Sequence, residues 1–142
     1  MKSVIDQFFK NQVGFTNEFY PPGNLSQVLQ IEQELDLTLP EDYKAFIKVT
    51  NGFKGFVGEN YCTFNKLEEL VEITEGYCKE YFPWAVQIGS DGGGEMYVLG
   101  KRNKKLVYGI LPAFSEEEDF IPLGTNFEEF IKRLYYNDYH SS

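Results

Sequence analysis

The chain of 142 residues predicts an α+β fold, a single mainly antiparallel β-sheet flanked by helices. Three observations carry this expectation. Apolar residues recur at helical spacing through much of the first fifty positions, then again in the sixties and near the end. From residue 85 to residue 124, four strand-like runs follow one another with no helix between them. Strands in direct succession cannot form the alternating βαβ pattern of a parallel sheet, so neighbours must run antiparallel. The length is close to the commonest domain size, which predicts one domain over residues 1–142.

The elements follow in order. "SVIDQFFK", residues 3–10, reads as a short helix capped by Ser3, with Ile5, Phe8 and Phe9 on one side. "GFTNEFYPPGN" then holds two prolines and two glycines, which leaves no regular element expected there. Asn24 with Gln27 three positions on resembles a capping box for a helix through "LSQVLQIEQEL", whose buried stripe is Val28, Ile31 and Leu35. Leu39-Pro40-Glu41-Asp42 opens the next helix. Proline suits the first helical position, and the two carboxylates meet the positive end of the helix dipole. Tyr43, Phe46, Ile47 and Thr50 follow at helical spacing, and Asn51-Gly52 ends the run with residues that tolerate a left-handed backbone.

"GFVG" and "YCTF" then read as strands around a turn at Glu59-Asn60. Asn65 with Glu68 is the expected cap of a further amphipathic helix carrying Leu67, Leu70, Val71, Thr74 and Tyr77. "AVQIG", "EMYVLG", "KLVYGI" and "DFIPLG" are the sheet strands, with "KRNKK" turning between the second and third. Thr125 with Glu128 forms a last capping box before a helix bearing Phe127, Phe130, Ile131 and Leu134.

Composition narrows the function. Apolar residues make up 42% and aromatics 17%, enough for a packed core rather than disorder. No apolar run approaches the ~20 residues of a membrane span, and the N-terminus lacks the pattern of a secretory signal. A cytoplasmic protein is expected, with no membrane partner, and Cys62 and Cys78 as reduced core residues. Two cysteines and one histidine cannot supply the usual zinc ligands. A net charge of −9 argues against direct nucleic-acid binding, which needs cationic surface, and suits a basic partner instead.

"IGSDGGGEMYVLG", residues 88–100, raises the question of a phosphate cradle. A P-loop needs Lys and Ser or Thr after its last glycine, whereas Gly94 is followed by Glu95. A dinucleotide loop must open a helix, and "EMYVLG" alternates as a strand. The loop is therefore expected to be a tight connection with a left-handed backbone at Gly93, and no cofactor is expected. His140 sits three positions from the end, a poor place for a catalytic base. The paired carboxylates read as solvated surface, and "KRNKK" as a solvated hairpin tip. No catalytic set assembles, so a non-enzyme is expected.

Several fragments together resemble the SUKH superfamily, which contains Smi/Knr-type regulators and many bacterial immunity proteins. Glu32 and Leu35, Leu39-Pro40, Tyr43, Phe46 and Asn51-Gly52 match its N-terminal signature in order. "IGSDGGGEMYVLG" looks like its central strand with an Asp-Gly-Gly turn, and "NFEEFIKRLYY" like its closing helix. The similarity spans roughly residues 25 to 136, leaving residues 1–24 as an N-terminal extension without a match. The resemblance implies an α+β fold and an immunity role: binding a cognate toxin, often a nuclease domain, and occluding its active site. The runner-up is a scaffolding or regulatory module that binds a cellular partner without neutralising it. A nuclease cleft holds phosphates and is cationic, so an acidic protein can occupy it. The expected contact residues are Glu68, Glu69 and Glu72 on a helix, and the run Glu116, Glu117, Glu118 and Asp119.

Overall fold

In a computed structural model describing residues 1–9 and 14–137, seven strands form one sheet in the order β1 to β7, each antiparallel to its neighbours. The strands are β1 (Glu18–Phe19), β2 (Phe53–Val57), β3 (Asn60–Phe64), β4 (Ala85–Ser90), β5 (Glu95–Arg102), β6 (Lys105–Pro112) and β7 (Ile121–Gly124). Six α-helices accompany them: α1 (Lys2–Phe8), α2 (Val28–Leu35), α3 (Glu41–Val49), α4 (Leu70–Gly76), α5 (Cys78–Tyr81) and α6 (Phe127–Tyr136). The expected class is thus the observed one, and the sheet is antiparallel throughout. His140 lies outside the described residues.

Strand β5 shows how the sheet is clothed. Successive side chains of a strand point to opposite faces. Tyr97 and Leu99 enter the main core, while Met96 and Val98 enter a second, smaller one. Burial on both faces is why "MYVL" reads as a continuous apolar run. The main core takes Tyr43, Phe46 and Ile47 from α3, Phe127, Phe130, Ile131 and Leu134 from α6, and Val4, Ile5 and Phe8 from α1. Its centre is aromatic. Phe46 and Phe127 lie 4.8 Å apart between ring centroids, and Tyr108 stacks on Phe130 at 5.4 Å. The smaller core joins Cys78, Phe82 and Ala85 to Met96, Val98 and Leu111. The unmatched N-terminal segment is part of this packing, because Phe8 and Phe9 are buried in the main core.

The helix starts differ in detail from the expected ones. The first helix begins at Lys2 after Met1, so Ser3 lies inside it rather than capping it. The helix α4 is entered through a 3-10 turn, Leu67–Glu69, which Asn65 does not cap. Asn65 instead donates its side-chain amide to the Gln87 carbonyl, while the Lys66 N–H donates to the Glu69 carboxylate and the Leu67 N–H to Asn51 Oδ1. The last helix is capped by Asn126, whose Oδ1 accepts from the Glu129 N–H at 2.8 Å, one residue beyond Thr125. Asn24 does cap, but through the Ser26 N–H, and a 3-10 turn precedes α2. Pro40 stands one position earlier than expected, immediately before α3.

The "GFTNEFYPPGN" stretch also carries one short element, β1, pairing Glu18 and Phe19 with Lys54 and Phe53. Asn17 fixes it, accepting the Phe56 N–H on its side-chain oxygen at 2.8 Å.

Candidate acidic and aromatic docking surface

The glycine loop between β4 and β5 holds its own anion. Asp91 Oδ1 accepts the N–H groups of Gly93 (2.7 Å) and Glu95 (3.0 Å), so these loop amides are turned onto a carboxylate of the chain. A phosphate would have to displace that carboxylate. The positive φ angles fall on Gly92 (+79°) and Gly94 (+115°), which corrects the expectation for Gly93. The loop does a different job. The Gly94 carbonyl accepts the Ala113 N–H at 2.8 Å and so anchors the start of the β6–β7 connection.

That connection carries Phe114, which is 92% exposed and has φ of +59°, a conformation bulky side chains seldom adopt. Its N–H donates to the Tyr77 hydroxyl at 2.8 Å, and the two rings meet edge-on at 5.7 Å. Tyr81, 58% exposed, packs on Tyr77 at 4.8 Å. With Phe82, Glu116 and Glu117 these rings line a groove of about 520 Å³. Beyond Glu117 a second aromatic group begins. The Arg102 guanidinium lies 4.4 Å from the Trp84 ring centre and 5.6 Å from that of Phe120, and pairs with Glu117 at 3.1 Å. Gly100 and Gly109 make this possible, since a Cβ at either would strike Trp84 or Phe120. The "KRNKK" tip is thus only partly solvated. Its turn is Asn103-Lys104, both with positive φ, while Arg102 folds back onto the sheet.

All seven acidic residues singled out from sequence are exposed. The structure does not gather them into one cavity. Glu68 borders a polar hollow of about 210 Å³ with Asn24, Gln27 and Asn51, whereas Glu116 and Glu117 border the aromatic groove. Several also serve the chain itself. Glu68 accepts from the Asn51 side-chain amide at 2.7 Å; its own backbone amide and Asn51 hold its carboxyl below the usual range. Glu69 accepts the Lys66 N–H, and Asp119 the Glu116 N–H. The run 116–119 forms a 3-10 turn over Glu117–Asp119, so its like charges are partly offset by Arg102 and by backbone amides. Glu72 lies exposed on α4.

Chemistry elsewhere is muted. Burial pushes the Cys62 thiol up to about 12 and the Cys78 thiol up to about 11, so both stay protonated near neutrality. Among the described residues no cluster of His, Cys, Asp and Glu is placed to hold a metal ion, and no helix is long and apolar enough to cross a membrane. The aromatic groove is not legible as a site in the sequence, because Phe114 falls in a connection, Tyr77 reads as part of a helix stripe and Tyr81 belongs to no expected element. The one local signal was a large aromatic, in "AFSEEED", beside a run of carboxylates.

Comparison with known proteins agrees with the fold. Residues 22–133 match the model of the SMI1 / KNR4 family (SUKH-1). The uncharacterized protein YnaB of Bacillus subtilis (strain 168) is 32% identical over 125 residues, covering 84% of this chain and 81% of YnaB. The chain belongs to the SMI1 / KNR4 family.

Proposed function

We propose that this member of the SMI1 / KNR4 family is a non-catalytic immunity protein of the cytoplasm, which binds and neutralises a cognate bacterial toxin. The target that fits its chemistry is a cationic nuclease domain, held with its active site covered. The observation that carries this reading is the placement of carboxylates. Glu116 and Glu117 stand at the rim of an aromatic groove on a protein of net charge −9, Glu118 and Asp119 continue that run, and Glu68, Glu69 and Glu72 add exposed acidity in a second region. Such a surface draws in a cationic cleft at long range and offers rings for contact at short range.

One observation favours the second reading, a regulatory module that binds without neutralising. Glu68, Glu69, Glu117 and Asp119 each have a partner within the chain, so part of the acidity has a structural use. Co-expression with the product of the adjacent reading frame, as the candidate toxin, separates the two. An immunity protein restores growth, and reversal of Glu116–Asp119 to lysine weakens the rescue. Binding without rescue would support the module.

A further inference from the structure

We propose that the groove between α5 and the β6–β7 connection receives an arginine side chain of the protein partner, stacked against Tyr81 and Phe114 and paired with Glu116. The partner's identity rests on the immunity reading; the groove's preference for a guanidinium does not.

Arg102 sits over Trp84 and Phe120 and pairs with Glu117, so this fold stabilises a guanidinium between aromatic rings and a carboxylate. Across Glu117 the same ingredients recur. Tyr77, Tyr81 and Phe114 supply the rings and Glu116 the carboxylate, yet among the described residues no lysine or arginine stands over those three rings. Hydrophobic burial alone does not explain Phe114. It is held in a left-handed conformation by its own N–H bond to Tyr77 and by the Ala113 bond to Gly94, and its ring is almost fully in solvent. A fixed, displayed aromatic beside a carboxylate that meets a backbone amide of its own turn, with no cation paired to it among the described residues, matches the features of interface anchors. Arginine fits better than lysine because its planar head can stack on a ring and pair with a carboxylate at once. A net charge of −9 favours approach of such a basic partner and disfavours an acidic one.

The test uses the full chain and a peptide probe, acetyl-Gly-Arg-Gly-Arg-Gly-amide, with lysine and citrulline versions, followed by backbone amide NMR shifts. We expect saturable shifts confined to residues 77–82 and 113–119, and none with citrulline. Affinity should fall about fivefold in Phe114→Ala and Tyr81→Ala, and fall again in Glu116→Gln. Both aromatic positions are exposed, and Phe114→Leu, which keeps bulk without a ring, serves as a second variant should Phe114→Ala lose its fold. Variants binding within about twofold of wild type, equal binding of the lysine peptide, or shifts centred on residues 68–72 would each overturn the proposal. The toxin domain from the adjacent reading frame provides a separate arm. If it binds wild type and Phe114→Ala equally, the groove assignment fails and the immunity reading stands. If it does not bind while the arginine peptide fills the groove, the immunity reading fails and the groove assignment stands.

Discussion

Asp42 shows how much one side chain can join. Its Oδ1 accepts the Tyr108 hydroxyl at 2.8 Å, and its Oδ2 the Phe127 N–H at 2.6 Å. The first residue after the Leu-Pro-Glu punctuation thereby ties α3 to β6 and to the start of α6. Hydrogen bonds to a charged group contribute more than neutral ones, so Asp42→Ala should lower stability by about 2–4 kcal/mol in urea unfolding. Phe46, fully buried among aromatic rings, should cost about 3–5 kcal/mol when truncated to alanine. The glycine loop offers a sharper contrast. Gly93→Ala should be neutral within about 0.5 kcal/mol, since a Cβ there meets only Asp91 oxygens at 3.7 Å and beyond. Gly94→Ala, at φ of +115°, should cost about 1–3 kcal/mol. Equal melting of these two variants would contradict the assigned turn. The buried hydroxyls and thiols add a pH dependence. Desolvation raises the folded values of Tyr43, Tyr108, Cys62 and Cys78 above their ordinary 10.0 and 9.0. Their contribution is therefore complete below pH 9 and is lost as pH rises above it. The urea midpoint should hold from neutral pH to about 9 and decline beyond, and a flat profile to pH 11 would contradict their burial.

Helix starts are where sequence and structure part, and the reasons are physical. Thr125 and Asn126 are both competent caps, and Glu128 and Glu129 each stand three residues beyond one of them. Local pattern leaves a tie. Asp42 breaks it from 85 positions away by taking the Phe127 N–H, which leaves Asn126 to cap Glu129. Asn126→Ala should then cost about 1 kcal/mol in urea unfolding and Thr125→Ala almost nothing. The α4 entry repeats the lesson. The Leu67 N–H is satisfied by Asn51, at the end of the preceding helix, a partner no three-residue rule can find. Buried faces were far more legible than ends. Phe46, Ile47, Phe127, Phe130, Ile131 and Leu134 all sit where helical spacing places them, since a face is set by many residues and a cap by one. Strand β1 was illegible, because two residues hold no pattern and Asn17 and Thr50 fix it through long-range bonds. The groove escaped notice for the same reason: Tyr81, Phe114 and Glu116 meet only when the chain folds.

At the scale of the whole molecule, charge is the property that connects the fold to the proposed partner. The acidic residues are spread over two regions rather than one cavity, which suits a wide footprint on a cationic domain more than a small-molecule site. Exposed charges interact over about 8–10 Å at physiological ionic strength, so in the proposed complex they would govern encounter, and the exposed rings of Tyr81 and Phe114 would govern retention. The most direct measurement takes the product of the adjacent reading frame as the proposed toxin domain and follows its inhibition by the wild-type protein, with association rates at low and physiological salt. We expect stoichiometric inhibition, an association rate that drops as salt rises, and a loss of that salt dependence when Glu116–Asp119 are reversed to lysine with the fold intact by circular dichroism. An uninhibited toxin domain, or inhibition that is unchanged by salt and by reversal of both acidic groups, would contradict it.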